Sequence, residues 1–259
     1  MEVGVTGARR EPGRTVTNKV IGVLRSFDTA EPELSLHEIA ARTGLPPSTA
    51  LRLIRELVDA GVLERTPVGS YCIGLALWRT GELSMQARQL RGSARTAMVE
   101  LHNTLQSAVA LVLHHGDEAV VVDKIGPPGS PEPFPALAFA MPLHATASGK
   151  LLLATMPVEA RRRLLAGRLR RFTPRTIVAP GLLAASLAAV ERQGVATTNG
   201  EIRAGWSTLA TYIRSPDGTA VASLTAGVRS SRFDPDRLAG YVRRAARSTE
   251  CGLASLNSA

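Results

Sequence analysis

The stretch STALRLIRELVDAG at 48–61 constrains the fold more than any other part of the chain. Ala50, Leu53, Ile54 and Leu57 recur at i, i+3, i+4 and i+7, so a helix through them turns one aliphatic side to a core. At roughly 100° per residue, Ser48, Arg52 and Arg55 stand on the opposite side. Upstream, Ser35 and Glu38 have capping-box spacing at the head of LHEIAART, and Gly44 suits the left-handed turn that ends that short helix. Leu45-Pro46-Pro47 bridges the two helices, and proline is tolerated where a helix begins. Residues 15–27 supply a further helix with Val16, Val20, Val23, Leu24 and Phe27 on one face. Downstream, VLERT and SYCIG flank Pro67-Val68-Gly69 and predict a hairpin.

Helix, capped short helix, glycine turn, longer helix, hairpin: this order is that of a winged helix-turn-helix. A helix fits the major groove of B-DNA, and the residues of its first turns reach base edges and phosphates. The expected DNA-facing set is Pro47, Ser48, Thr49, Arg52 and Arg55 on the helix, with Arg65 on the hairpin. The hydroxyls can donate to phosphate, and the guanidinium groups can pair with guanine or phosphate.

Net charge is no argument for this reading. The chain carries +9, yet residues 1–80 hold 10 Lys and Arg against 9 Asp and Glu, and residues 81–259 hold 21 against 13. The two cysteines, Cys72 and Cys251, have no His or Cys at ligand spacing, so neither a disulfide framework nor a metal site is expected. Unpaired thiols fit a reducing cytoplasm. The first 14 residues, rich in charge, Gly and Pro, have no apolar core of a signal peptide and are expected to form a disordered arm. No window reaches the roughly 18 apolar residues of a membrane span.

Beyond the hairpin, 75–86 is expected as a connector helix, with a break near 84–86, and 87–259 as a second domain. Its strands are expected at 108–114, 119–124, 136–140, 208–215 and 219–227, and its helices at 146–154, 158–166, 181–192 and 234–251. Alternation of this kind predicts a central sheet covered by helices. Overall the class is α+β, a winged helix-turn-helix domain at 15–74 joined to an α/β domain.

Catalysis finds little support. His144, Ser148 and Lys150 lie close together, but the flanks of Ser148 read ATASGK, which is no nucleophile elbow. His144 is expected to fix its loop by a hydrogen bond, and Lys150 to stand on the exposed side of its helix. Asp117, Glu118 and Asp123 fall on a strand hairpin, and there is no phosphate-binding glycine loop. No catalytic residue and no cofactor is expected.

Several ordered segments resemble the isocitrate lyase regulator (IclR) family of transcription regulators. They are LSLHEIAARTGLPPSTALRLIRELVDAGVLER at 34–65, GSYCIGLALWRTGEL at 69–83, PLHATASGKLLLATMP at 142–157, TPRTIVAPGLLAASLAAVERQGVA at 173–196 and SPDGTAVASLTAGVRSSRF at 215–233. The resemblance implies a GAF-like effector-binding domain, a homodimer made through the N-terminal domains and often a tetramer. It also implies a palindromic operator in double-stranded DNA and repression of a metabolic operon under a small, often acidic, metabolite. A regulator whose effector domain is closed and acts through a protein partner stays open as the alternative.

Carried over by motif, the effector pocket takes Met141, Ala147 and Ser148 from the PLHATASGK segment. It takes Thr198, Trp206 and Thr208 from TTNGEIRAGWST, and Leu224, Thr225 and Ala226 from the late strand. Phe134 and Phe139 are expected as walls, and the helix after His144 offers its N-terminal amides to a carboxylate. Two departures matter. The family usually has a basic residue where this chain has Pro47, and in 197–208 only Glu201 is acidic, with Trp206 bulky and Ser207-Thr208 where Arg-Cys is common. The operator and the ligand of a relative are therefore poor guides to those of this chain.

Overall fold

The computed structural model describes residues 15–27, 31–126, 133–134 and 141–256. The expected arm at 1–14, the expected strand at 136–140 and Phe139 lie outside the described residues. The chain divides into two units after Ser84.

The first unit begins with α1 (Val16–Arg25), α2 (Leu36–Thr43) and α3 (Pro47–Asp59). The capping box forms: the Ser35 amide donates to Glu38 Oε2 at 2.7 Å, and the Glu38 amide donates to Ser35 Oγ at 3.3 Å. Gly44 closes α2 at φ 64°, a conformation that costs a side chain but not glycine. Helix α3 starts at Pro47, where a missing amide costs nothing. Its stripe Ala50, Leu53, Ile54 and Leu57 is buried, and Ala50, Ile54 and Leu57 pack with Val23, Leu34, Ile39, Leu63 and Tyr71. Each large aliphatic side chain buried this way contributes about 1.5–3 kcal/mol. Strands β1 (Leu63–Arg65) and β2 (Tyr71–Ile73) make the hairpin, and Leu34 adds a bridge to Tyr71 through two backbone bonds of 2.9 and 2.8 Å. Helix α4 (Leu75–Gly81) follows at once. Gly74 is obligatory at that junction, since a Cβ there would meet the Gly61 carbonyl oxygen at 2.3 Å.

The second unit opens with α5 (Met85–Leu105), β3 (Ala108–His115) and β4 (Glu118–Ile125). Then come α6 (Ala147–Thr155), α7 (Val158–Leu165), α8 (Pro180–Gln193) and β5 (Val195–Asn199). It ends with β6 (Trp206–Arg214), β7 (Ala220–Arg229) and α9 (Pro235–Leu256). The sheet is antiparallel throughout, in the order β4-β3-β7-β6-β5.

Strand alternation sorts the side chains onto two faces. Val109, Leu111, Leu209, Ile213, Leu224 and Ala226 pack with Leu90, Met98, Leu101, Leu238 and Val242 of α5 and α9. Ala108, Ala110, Val112 and Ala210 belong to the other face, with α6 and Phe134. The residues there are small, which leaves room between the sheet and its cover.

Helix α6 corrects one expectation. Lys150 is not exposed but 1% accessible, because Ala147 through Leu153 are all buried and the helix has no solvent side in that stretch. A lysine there persists only with a partner, and Glu201 provides it.

Candidate DNA-reading surface and effector cavity

Helix α3 leaves Pro47, Ser48, Arg52 and Arg55 exposed and Thr49 half-buried, with the aliphatic stripe turned inward. No side chain caps its N-terminus, so the first-turn amides remain available to an anion. Arg65 is exposed on β1, and its Nη2 lies 3.7 Å from where a Cβ on Gly69 of the hairpin tip would stand. The helix set and Arg65 therefore stand exposed on one small unit, on a helix and a wing.

In the second unit a cavity of about 320 Å³ opens beside α6. Thr146 caps α6 by accepting from the Gly149 amide at 3.1 Å, and Ala147 and Ser148 line the cavity from its first turn. Gly149 permits this: a Cβ would meet Leu143 Cα at 2.4 Å, so only glycine lets the 142–146 turn lie against the helix start. Two hydroxyl pairs tie the walls together, Ser148 Oγ to Thr225 Oγ1 and Thr198 Oγ1 to Thr208 Oγ1, both at 2.7 Å. The apolar walls are Phe134, Met141, Phe172 and Trp206. The Arg229 guanidinium covers the indole of Trp206 at 4.4 Å, and the buried Trp206 Nε1 has no hydrogen-bond partner among the described residues. Arg203 also lines the cavity.

Of the residues assigned to the pocket by motif, Met141, Ala147, Ser148, Thr198, Trp206, Thr208 and Thr225 line this cavity, as does Phe134. Leu224 and Ala226 do not. Side chains alternate along β7, so Thr225 faces the cavity while its two neighbours pack in the core beneath α5 and α9. Gly227 shares the face of Thr225, where a Cβ would meet Pro133 Cγ at 2.5 Å.

Arg203, Ile202 and Phe172 were not expected there. Phe172 lies in an irregular loop with no periodicity to betray it. It reaches the site because His144 Nε2 hydrogen-bonds the Arg170 carbonyl at 2.9 Å and the imidazole stacks on Phe172 with centroids 6.0 Å apart. His144 thus fixes a loop.

Two family models match the chain: "IclR helix-turn-helix domain" over residues 16–67 and "Bacterial transcriptional regulator IclR C-terminal" over residues 83–250. The chain belongs to the IclR family. It is accordingly a DNA-binding transcription regulator and not an enzyme. It is 27% identical over 225 residues to the Escherichia coli regulator XynR, covering 86% of this chain and 89% of that one. It is 27% identical over 250 residues to the Klebsiella pneumoniae repressor AllR, covering 94% and 92%. A solved IclR homologue from Microbacterium hydrocarbonoxydans, in complex with 4-hydroxybenzoate, superimposes with a TM-score of 0.83 at 28% identity, covering 92% and 98%. The helix-turn-helix domain and the C-terminal α/β domain of this IclR-family chain are thus those of its relatives. Among the described residues no helix is long and apolar enough to cross a membrane.

Proposed function

We propose that this IclR-family regulator is a repressor of a metabolic operon in the cytoplasm, released from its operator by a small carboxylated metabolite. A homodimer, or a tetramer built from two, places two α3 helices in successive major grooves of a palindromic site. Ser48, Thr49, Arg52 and Arg55 make the groove and phosphate contacts, Pro47 shapes the helix start without contributing a charge, and Arg65 holds the wing on the backbone. Leu75 and Trp78 of α4, each about 60% exposed in the single chain, support association between copies.

The observation that carries the sensing half is the cavity. Its 320 Å³ lies within the range of pockets that take small molecules. Aromatic and thioether walls suit a flat apolar body. The first-turn amides of α6 and Trp206 Nε1, which has no partner among the described residues, are donors, which suits an anionic or oxygen-bearing end. The similar Microbacterium homologue holds an aromatic hydroxy acid, and that class is the first to try. Binding shifts the balance between arrangements of the DNA-binding units through the 75–105 segment, and the coupling is reciprocal.

A thermal-shift screen of small aromatic and aliphatic carboxylates tests this, followed by operator-release titrations. A hit should raise the melting temperature, quench Trp206 and weaken operator binding. A screen in which no acid stabilises the protein or alters operator binding would favour a regulator that acts through a protein partner instead.

A further inference from the structure

Three of the stretches of chain that line the cavity are the first turn of α6, the loop at 199–206 and the loop at 172–176. These stretches meet again at a cluster of polar side chains, none of which lines the cavity. Lys150 Nζ donates to Glu201 Oε1 at 2.5 Å and to the Thr197 carbonyl at 3.4 Å, with side chains 1% and 6% exposed for the pair. The Thr173 hydroxyl donates to the Gly200 carbonyl at 2.6 Å, and the Thr176 hydroxyl to the Glu201 carbonyl at 2.6 Å. Thr176 Oγ1 also accepts from the Phe172 and Thr173 amides at 3.0 and 2.9 Å. Arg175 donates to Asn199 Oδ1 at 3.0 Å.

Stability alone does not account for such a pair. Taking two charges out of water is expensive, and well-packed apolar side chains in the same space are often as stable or more so. Glu201 Oε2 is buried with no partner among the described residues, which adds to the cost. Burial lowers the Lys150 pKa, and the Glu201 carboxylate works against that shift. What the pair does supply is a fixed geometry. Lys150 lies one turn beyond Thr146 and Ala147, Glu201 immediately precedes Ile202 and Arg203, and Thr173 follows Phe172. Lys150, Glu201 and Thr173 thus each stand beside a cavity-lining residue or one helical turn from it.

We propose that Lys150 and Glu201 are positioning residues for the effector cavity: their ion pair latches the 199–206 loop to α6, and the Thr173 and Thr176 hydroxyls extend the latch to the 172–176 loop. Arg203 and Trp206 are thereby held around the same space as Ser148 and the α6 amides. Without the latch the unit keeps its sheet and both helical layers, but the cavity loses a defined wall. That this wall serves a ligand rests on the function proposed above. The latch itself does not, and its test needs no ligand.

The test uses the full chain with Trp78→Phe, which leaves Trp206 the sole tryptophan. Lys150→Met with Glu201→Leu replaces the pair by apolar side chains, and amide exchange and acrylamide quenching are read against the parent. The latch predicts a cooperative melt retained, exchange at 199–206 at least about tenfold faster and stronger quenching of Trp206, with amides of 208–213 and 221–228 unchanged. Unchanged exchange at 199–206 in a folded double variant would overturn it. Glu201→Gln keeps the shape of the site while removing the carboxylate charge, and covers the case in which the double variant does not fold. It should accelerate the same amides in the same loop, and uniform or absent acceleration would again overturn the assignment.

Discussion

The Arg52 guanidinium lies 2.5 Å from the Glu56 carboxylate one turn further along α3, with both side chains more than half exposed. An exposed pair of this spacing is worth only about 0.3–0.5 kcal/mol, so a DNA phosphate can displace the glutamate at little cost. The glutamate therefore holds the arginine extended along the helix while offsetting its charge. Glu56→Gln should raise affinity for duplex DNA a few-fold at low salt and lose that advantage at high salt. Fluorescence anisotropy across a salt series checks it, and a decrease in affinity would show that Glu56 itself touches the DNA.

Gly149 marks where the 142–146 turn rests on α6, and Gly149→Ala would place a Cβ 2.4 Å from Leu143 Cα and 2.5 Å from its carbonyl oxygen. Backbone atoms cannot yield as a flexible side chain would, so the expected loss is about 1–3 kcal/mol, with the cavity mouth displaced. Urea denaturation gives the stability change. Gly92→Ala on α5 is the control, since no atom lies within 4 Å of its Cβ position, and it should be neutral or stabilising.

Buried His114 gives the α/β domain a pH dependence of definite sign. Its Nε2 pairs with Ser223 Oγ at 3.1 Å, and burial lowers its pKa from 6.5 to about 4. Between those values the unfolded chain binds a proton that the folded chain refuses. The stability that neutral His114 permits is therefore intact above pH 6.5 and is lost as pH falls toward 4. The full span is worth about 3 kcal/mol. Unfolding free energies of His114→Gln and the parent, compared from pH 7 to 4, should converge as pH falls. Parallel curves would mean that the folded domain accepts the proton.

What was legible in the sequence follows from local chemistry. Ser35 with Glu38, Gly44 and the α3 stripe each fix their structure within a turn or two, and these elements formed where their residues predict. The motif segments also brought Ser148, Thr198, Trp206, Thr208 and Thr225 to one cavity. Leu224 and Ala226 fall outside the cavity because a motif carries a segment, whereas a strand sends alternate residues to opposite faces. Lys150 was misplaced because charge suggests solvent until its partner is known, and Glu201 stands 51 residues away. Phe172 and Arg203 sit on loops whose positions are set by tertiary bonds from His144, Thr173 and Thr176. The short edge strand β5 carries no such local signal, because VATTN has no apolar alternation.

In the proposed function the exposed face of α3 grips a duplex. Its most direct test is the salt dependence of binding, by Arg52→Ala with Arg55→Ala in the full chain, to a fragment of the promoter the protein protects in a footprint. If both arginines meet phosphates or base edges, specific binding should fall at least about a hundredfold and the salt slope should flatten by one to two units, with the melting temperature unchanged. A folded double variant that binds that fragment with parental affinity and slope would show that this face of α3 does not meet the DNA.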